Sequence, residues 1–373
     1  MFVLGDKVVS ALAKDALDLL DKELVSVSIK SIQRVQAKGS APFTLEQKKD
    51  EWHVVGSPAP SFQAEDEAVG GFLRPWARLR AERIAAYGRK IDWKEFGLDQ
   101  PSVSVTVTVS VEGEKDKDKK TTDHTLALGK ETGKGERFAR LDQQQAVVVL
   151  DAATAADLAR SHLDFVNHRV LKYDLDTVTG IVRQMKDGDL ELVKRDDQWR
   201  FAKPDKQADD VTVGDVLEKT FRLRAQRIAA YPAKDLKPFG LEPPAATVTL
   251  KLADATGKAN QHVIKIGDLA KEPGKTNNGE RYALIDKGEA IVVLAPELSK
   301  HLVAPSLHFA DRNLASFGSA DKITLERGPR KITFTKSDTS WQMTAPVKAD
   351  AEDAALDDFL KDLRRLRVDE VVA

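Results

Sequence analysis

Two hydrophobic periods alternate along the chain, and the switch between them recurs. Val103, Val105, Val107 and Val109 occupy every second position, as do Val248, Leu250 and Leu252. That spacing describes strands with one buried and one wet face. Val69, Phe72, Leu73, Trp76 and Leu79 instead fall at steps of 3, 4, 7 and 10 from the first, the stripe of an amphipathic helix. The same phase returns as Val213, Val216, Leu217, Thr220 and Leu223, and as Leu356, Phe359, Leu360, Leu363 and Leu366. Before each stripe two short alternating runs flank a polar turn: Phe43–Glu46 with Trp52–Val55, Leu190–Leu192 with Trp199–Phe201, and Ile332–Phe334 with Trp341–Met343. These predict antiparallel hairpins with Trp52, Trp199 and Trp341 in equivalent, largely buried positions. Pro58, Pro204 and Pro346 close them, since proline cannot extend a ladder. The first helix is expected to run out through Ile84-Ala85-Ala86-Tyr87, with Pro75 kinking it or marking a late start.

The stretch that joins the two periods is itself repeated. Leu79–Pro101 reads LRAERIAAYGRKIDWKEFGLDQP and Leu223–Pro244 reads LRAQRIAAYPAKDLKPFGLEPP. Tyr231 minus Tyr87 is 144 and Gly240 minus Gly97 is 143, a period of whole domains in tandem. In both copies a structural turn, Gly97, Leu98 and Pro101 or Gly240, Leu241 and Pro244, hands the chain to the alternating strands. Glycine there should take a positive φ. Phe2-Val3-Leu4, Val148-Val149-Leu150 and Val292-Val293-Leu294 align as closing strands, each followed by a short helix. The expected organisation is α+β: three strands, a helix, four strands and a closing helix per repeat, in an elongated array. Its boundaries are a preceding repeat's tail (1–22), two full repeats (23–167 and 168–312) and a partial third (313–373). The chain is read as starting inside a longer parent, and the uncovered stripe of the third copy as a surface for self-association.

Charge narrows the function less than it narrows the partners. Fifty-eight Lys and Arg stand against 59 Asp and Glu, a formal charge of −1 without the basic surplus of a nucleic-acid binder. There is no cysteine, which excludes disulfides and thiolate chemistry. No apolar run is long enough for direct membrane insertion, and Asp6, Lys7, Lys14 and Asp15 break up any signal-like segment at the start. Acidic pairs precede each stripe (Glu65-Asp66, Asp209-Asp210, Glu352-Asp353) and arginines follow it (Arg78, Arg80, Arg83; Arg222, Arg224, Arg227). A helix dipole accounts for both placements. Gly274-Lys275-Thr276 lacks the earlier glycine of a phosphate loop, Leu269 standing there. Of seven histidines only His124 and His262 recur, each entering a strand without metal-ligand spacing. The mixed-charge run after Val111 reads as a solvated loop tip. No catalytic residue, cofactor or metal site is assigned. The candidate interaction surface is the hairpin of Glu136, Arg137 and Phe138, repeated as Glu280, Arg281 and Tyr282, for which a structural turn with an internal ion pair is the competing reading.

The stretch Trp52–Pro58, the helix ending in Ile84, the FGLDQP turn from Phe96 to Pro101, the Leu128-Gly129 strand end and Arg137-Phe138 before the Val148 strand, with their second copies, together resemble a bacterial domain family of unknown function, number 4340. The resemblance implies extracytoplasmic modules on a membrane-anchored chain, associated with gliding-motility-type ABC transporter components. It carries no known catalytic residues. The expectation is a non-catalytic, membrane-tethered periplasmic scaffold with a protein partner such as transporter subunits. The alternatives are a cytoplasmic location, and a glycan-binding protein or hydrolase with its site in a groove between repeats.

Overall fold

A computed structural model describes residues 14–111, 120–254, 256–271, 276–315 and 317–369. The aligned Phe2-Val3-Leu4, most of the mixed-charge loop and Gly274-Lys275 lie outside them. The first copy contains β1 (Glu23–Val25), β2 (Ile32–Gly39), β3 (Phe43–Lys48), β4 (Glu51–Val55), β5 (Phe62–Gln63), α1 (Asp66–Leu73), β6 (Leu79–Arg80) and β7 (Arg83–Tyr87). It continues through β8 (Val103–Val111), β9 (Lys120–Glu131), β10 (Arg137–Leu141), β11 (Ala146–Leu150) and α2 (Ala152–Leu158). All strand pairs are antiparallel, in the order β5-β4-β3-β2-β8-β9-β10-β11-β7, with β1 and β6 forming a separate ribbon. The second copy comprises β12 (Val178–Met185), β13 (Leu190–Arg195), β14 (Gln198–Phe201), β15 (Lys206–Gln207), α3 (Asp210–Thr220), β16 (Arg227–Ala230), β17 (Ala246–Ala253), β18 (Ala259–Leu269), β19 (Arg281–Ile285), β20 (Ile291–Leu294) and α4 (Pro296–Leu302). Its strands repeat the order as the runs β15-β14-β13-β12-β17-β18 and β19-β20-β16. The third copy has β21 (Lys322–Arg327), β22 (Arg330–Ser337), β23 (Ser340–Ala345), β24 (Ala349–Asp350) and α5 (Asp353–Arg364), its four strands in chain order.

The chain gathers into two compact units that do not follow chain order. One holds the described residues up to Leu171 with Leu223–Pro243 and Gly267–Ala295; the other holds Lys172–Arg222, Pro244–Ile266 and the described residues from Pro296.

The helix predicted through Tyr87 is shorter than expected. α1 ends at Leu73, and Arg74–Arg78 form a 3-10 turn with Pro75 in its first positions, where a missing N–H is harmless. Trp76 and Leu79 are still buried, at 0% and 1% exposure, so the stripe survives the change of helix type. Ile84-Ala85-Ala86-Tyr87 is the strand β7, paired with β11. A run of alanines has good helical propensity, but the valine-rich β11 offers it a ladder, and tertiary pairing overrides the local preference. Of the arginines after the first stripe only Arg78 sits at a helix end, in the last turn of the 3-10 segment, while Arg80 lies on β6 and Arg83 on β7. The count of three strands before the helix also misses the two-residue β5, β15 and β24.

The three hairpins hold as predicted. Lys49 and Asp50 have φ of 53° and 21°, and Asp196 and Asp197 have 49° and 60°. Positive φ at both central residues is the turn twist that a two-residue hairpin needs. Trp199 and Trp341 are 5% and 1% exposed, while Trp52 is half-buried against the first core. Gly97 and Gly240 take φ of 67° and 65°. A Cβ at Gly240 would collide with the Asp268 carboxyl. Gly240→Val is expected to cost about 1–2 kcal/mol in urea denaturation, through the backbone strain and this collision; an unchanged midpoint would show that the turn relaxes.

Equivalent core positions have exchanged volume between copies. Phe43, Phe72 and Phe165 form a ring cluster with centroids 5.1–6.0 Å apart, beside the small Ala37. The corresponding residues of the second copy are Leu190, Val216, Phe309 and Arg183, the last 2% exposed with its guanidinium 5.8 Å from the Phe309 ring. Likewise Trp76 gives way to Thr220, whose hydroxyl bonds Tyr173 Oη at 2.6 Å. Burial of Tyr173 raises its pKa to about 12, against a lowering contribution from Thr220. The third copy buries only Ile323, Trp341 and Leu360 among its described apolar residues, with Phe334, Leu356 and Phe359 half-covered.

Candidate functional site

The hairpin residues singled out by sequence are mostly half-buried and make contacts within their own turns. Glu136 accepts from Arg83 Nη1 at 2.7 Å, and this bond, followed by the lesser pull of Thr132 and Lys134, holds its carboxyl below the usual range against its desolvation. Arg137 donates to the Gly129 carbonyl at 2.6 Å and to Ser102 Oγ at 2.5 Å. Phe138 packs edge-on to Phe96 at 5.0 Å, as Tyr282 does to Phe239 at the same separation. Arg281 donates to the Gly267 carbonyl at 2.9 Å, and the Glu280 carbonyl accepts from Ala270 N at 2.8 Å. Leu98 and Leu241 are buried beneath the same turns. These residues brace each turn against the strand beside it. His124 has a similar role: Asp142, in a tight turn with φ 48°, accepts from Thr125 N at 2.6 Å and lies 3.3 Å from His124 Nδ1.

The acidic pairs and the arginines, separate motifs in the sequence, meet in space. Glu65 is the residue before α1, and its side chain is 11% exposed. One carboxylate oxygen lies 2.9 Å from His168 Nδ1 and the other 3.0 Å from Arg224 Nη1. Its backbone N–H donates to the Phe165 carbonyl at 2.8 Å. Asp209 repeats this before α3, with 1% exposure, an Arg367 guanidinium at 2.9 Å, and its N–H on the Phe309 carbonyl at 2.9 Å. Burial alone would raise the Asp209 pKa, but hydrogen bonds from Thr212 and Arg367 outweigh it and lower it. The second acid of each pair works elsewhere: Asp210 accepts from Trp199 N at 2.8 Å and Asp353 from Trp341 N at 2.6 Å. Thus the acid before each of these two helices is answered by an arginine one repeat later, 159 residues on for Glu65 and 158 for Asp209. The sequence pattern marks both acids and Arg224, but neither Arg367 nor the pairing.

Around the first joint lies a cavity of about 500 Å³ lined by Glu65, Gly71, Arg160, Asp164, His168 and Arg224, among others. In the second copy the positions of Gly71 and Asp164 carry Asp215 and His308. There Asp215 Oδ2 lies 3.0 Å from His301 Nε2, and His301 Nδ1 lies 2.8 Å from His308 Nε2. Burial, then the charges of His301, Arg312, Lys300 and Arg183, push His308 down to about 4. His301 is lowered by burial despite the opposing pull of Asp215. A histidine depressed from 6.5 binds its proton more weakly folded than unfolded. Its stabilising contribution is therefore complete above pH 6.5 and lost as the pH falls toward 4, by up to about 3 kcal/mol. Denaturation midpoints measured from pH 7 to 4 are expected to fall, and His308→Gln to flatten that slope; parallel slopes would exclude His308.

The joint coincides with a family boundary. The family described as a domain of unknown function, DUF4340, matches residues 57–226 and 199–373. The first segment contains Glu65, His168 and Arg224, the second Asp209 and Arg367, so each holds one complete joint. The chain belongs to the DUF4340 family. No curated protein and no solved structure matches it. Tandem DUF4340 matches agree with the repeats read from the FGL turn, and the mixed helices and antiparallel sheets with an α+β fold. No helix among the described residues is long and apolar enough to cross a membrane. No group of three or more acidic or histidine side chains among the described residues is arranged to hold a metal ion.

Proposed function

We propose that this chain is a non-catalytic, extracytoplasmic scaffold that presents tandem DUF4340 modules to a protein partner, as an accessory to a membrane transporter of the ABC type. The observation that carries the reading is the recurrent acid–arginine joint. The acids before two of the helices and the arginines after the next stripes are spent on joining successive copies, at Glu65 with Arg224 and at Asp209 with Arg367. The GER hairpin charges also serve internal turns, in keeping with a repeat that is built to be multiplied. Compartment and transporter association rest on the family resemblance.

Photo-crosslinking in cells that produce the protein natively tests the proposal. A crosslinking amino acid at exposed Tyr87 or Val211, 65% and 64% exposed, should capture a membrane transport subunit after export. Labelling confined to cytosolic proteins, or a membrane-impermeant reagent that fails to reach the protein in intact spheroplasts, would overturn it.

A further inference from the structure

Three side chains in a row fasten the closing turn of the second copy to its helix. The 3-10 turn Ser306–Phe309 follows α4, and α3 packs against both. Asp215 stands on α3, His301 on α4 and His308 in the turn. Asp215 Oδ2 lies 3.0 Å from His301 Nε2, and His301 Nδ1 lies 2.8 Å from His308 Nε2. Two imidazole nitrogens that close need one hydrogen between them and have no room for two. Neutral rings satisfy this, with His308 Nε2–H donating to His301 Nδ1 and His301 Nε2–H donating to Asp215. One added proton is also accommodated: His301 becomes the cation and donates to both neighbours, while His308 keeps its hydrogen on Nδ1. A second proton is not, because both facing nitrogens then carry hydrogens and two cations meet.

The surroundings leave that second charge unanswered. The charged groups facing the two rings are Asp215 and Lys219 from α3, Lys300 from α4, Arg183 from β12, and Arg312 just after the turn. Of these only Asp215 is an anion, and it already holds Lys219 one turn along α3. The turn also anchors buried groups. Phe309 is 4% exposed, its carbonyl accepts from Asp209 N at 2.9 Å, and the Arg183 guanidinium donates to the Ala304 carbonyl and to Ser306 Oγ.

The first copy closes with different chemistry at the same places. Gly71, Asp157 and Asp164 stand where Asp215, His301 and His308 stand in the second. The histidines of its closure each face a carboxylate: His168 lies on Glu65 at 2.9 Å, and the charge of Asp164 favours a proton on His162 although burial opposes it. A proton added there gains an attraction, whereas at His301 and His308 the second proton gains a repulsion.

We propose that the second closure is an acid-released strap: with both His301 and His308 protonated, the segment from Val303 to Ala310 lifts off α3 and uncovers Phe309, while the first closure stays shut. Both histidines are depressed from 6.5, His308 to about 4, so the strap is fully closed above pH 6.5 and loosens as the pH falls toward 4. The release is local and reversible, and so differs from a loss of global stability. It is independent of the transporter reading, which needs no response to pH.

Hydrogen exchange on the whole chain, corrected for the intrinsic pH dependence of amide exchange, tests this from pH 7 to about 4.5. The amides of Asp209, Val303, His308 and Ala310 bond to carbonyls within the strap or α4, and should lose at least about tenfold in protection, regained on return to pH 7. Those of Glu65, Asp164 and Val166, their counterparts in the first closure, should change by less than about threefold. H308Q keeps a donor toward His301 but takes no charge, and should abolish the loss in the strap. Parallel loss in both closures would overturn the proposal, since it would mark general acid unfolding, and this comparison within the wild-type chain decides even if H308Q does not fold. Protection in the strap that is unchanged with pH, or an H308Q strap that opens in acid like wild type, would overturn it as well.

Discussion

Arg367→Met is expected to destabilise α3 by about 2–3 kcal/mol, read as a lower opening free energy in hydrogen exchange of the helix amides. The loss arises from the carboxylate left behind. Asp209 is 1% exposed, and without its cation the buried charge keeps only the Thr212 bonds to offset its desolvation. Breaking such a pair costs about 3–5 kcal/mol when both members are buried. Arg367 is 32% exposed, and Thr212 continues to donate to Asp209, so the effect should fall below that range. Asp209→Asn added to Arg367→Met should recover much of the loss, because the orphaned charge is then gone. A single variant with exchange rates like wild type would show that the Thr212 bonds alone carry Asp209, and the joint would lose its energetic meaning.

Arg183→Ala should cost about 2–4 kcal/mol in chemical denaturation, and the two substitutions that recreate the first copy's core should repair it. The guanidinium fills space that aromatic rings fill elsewhere, and donates to the Ala304 carbonyl and, at 3.2 Å, to Ser306 Oγ. Its Nε has no hydrogen-bond partner in the described structure. Burial lowers its pKa, with Asp189 pulling the other way. A buried arginine with one unanswered donor is a costly way to fill a core. Adding Leu190→Phe and Val216→Phe to Arg183→Ala reproduces the Ala37, Phe43 and Phe72 arrangement around Phe309, and is expected to come within about 1 kcal/mol of wild type or exceed it. The two phenylalanines with Arg183 retained should overpack and lose about 1–3 kcal/mol. If the triple variant is no more stable than Arg183→Ala alone, the two cores are not interchangeable.

What could be read from the chain depended on how local the cause was. Hairpins were legible because Asp196-Asp197 and Lys49-Asp50 mark turns at the point where they act. Gly97 and Gly240 were legible for the same reason. The Ile84–Tyr87 strand was not, since its conformation is decided by β11, some sixty residues later in the chain. The acidic pairs were visible as a motif, yet a dipole explained them well enough locally to hide the arginine that answers them from the next repeat. His124 was seen to recur while its partner Asp142 was not, because a tight turn supplies that contact. Arg183 carries no local mark of burial, because the space it fills is set by Phe309 and the Ala304 carbonyl from a distant part of the chain.

The interleaving of the two compact units has a consequence for how the protein is made. Glu65 leaves the ribosome 159 residues before Arg224. At about 5–20 residues per second, that interval is roughly 8–30 s. Within it the remaining strands of the first sheet, up to Leu150, are made while the Glu65 carboxylate still lacks its arginine, and the strand Arg227–Ala230 and hairpin Arg281–Leu294 that belong to the same unit follow later still. Each copy is thus finished by its successor, and a ribosome that stalls within the second repeat leaves behind an incomplete first unit.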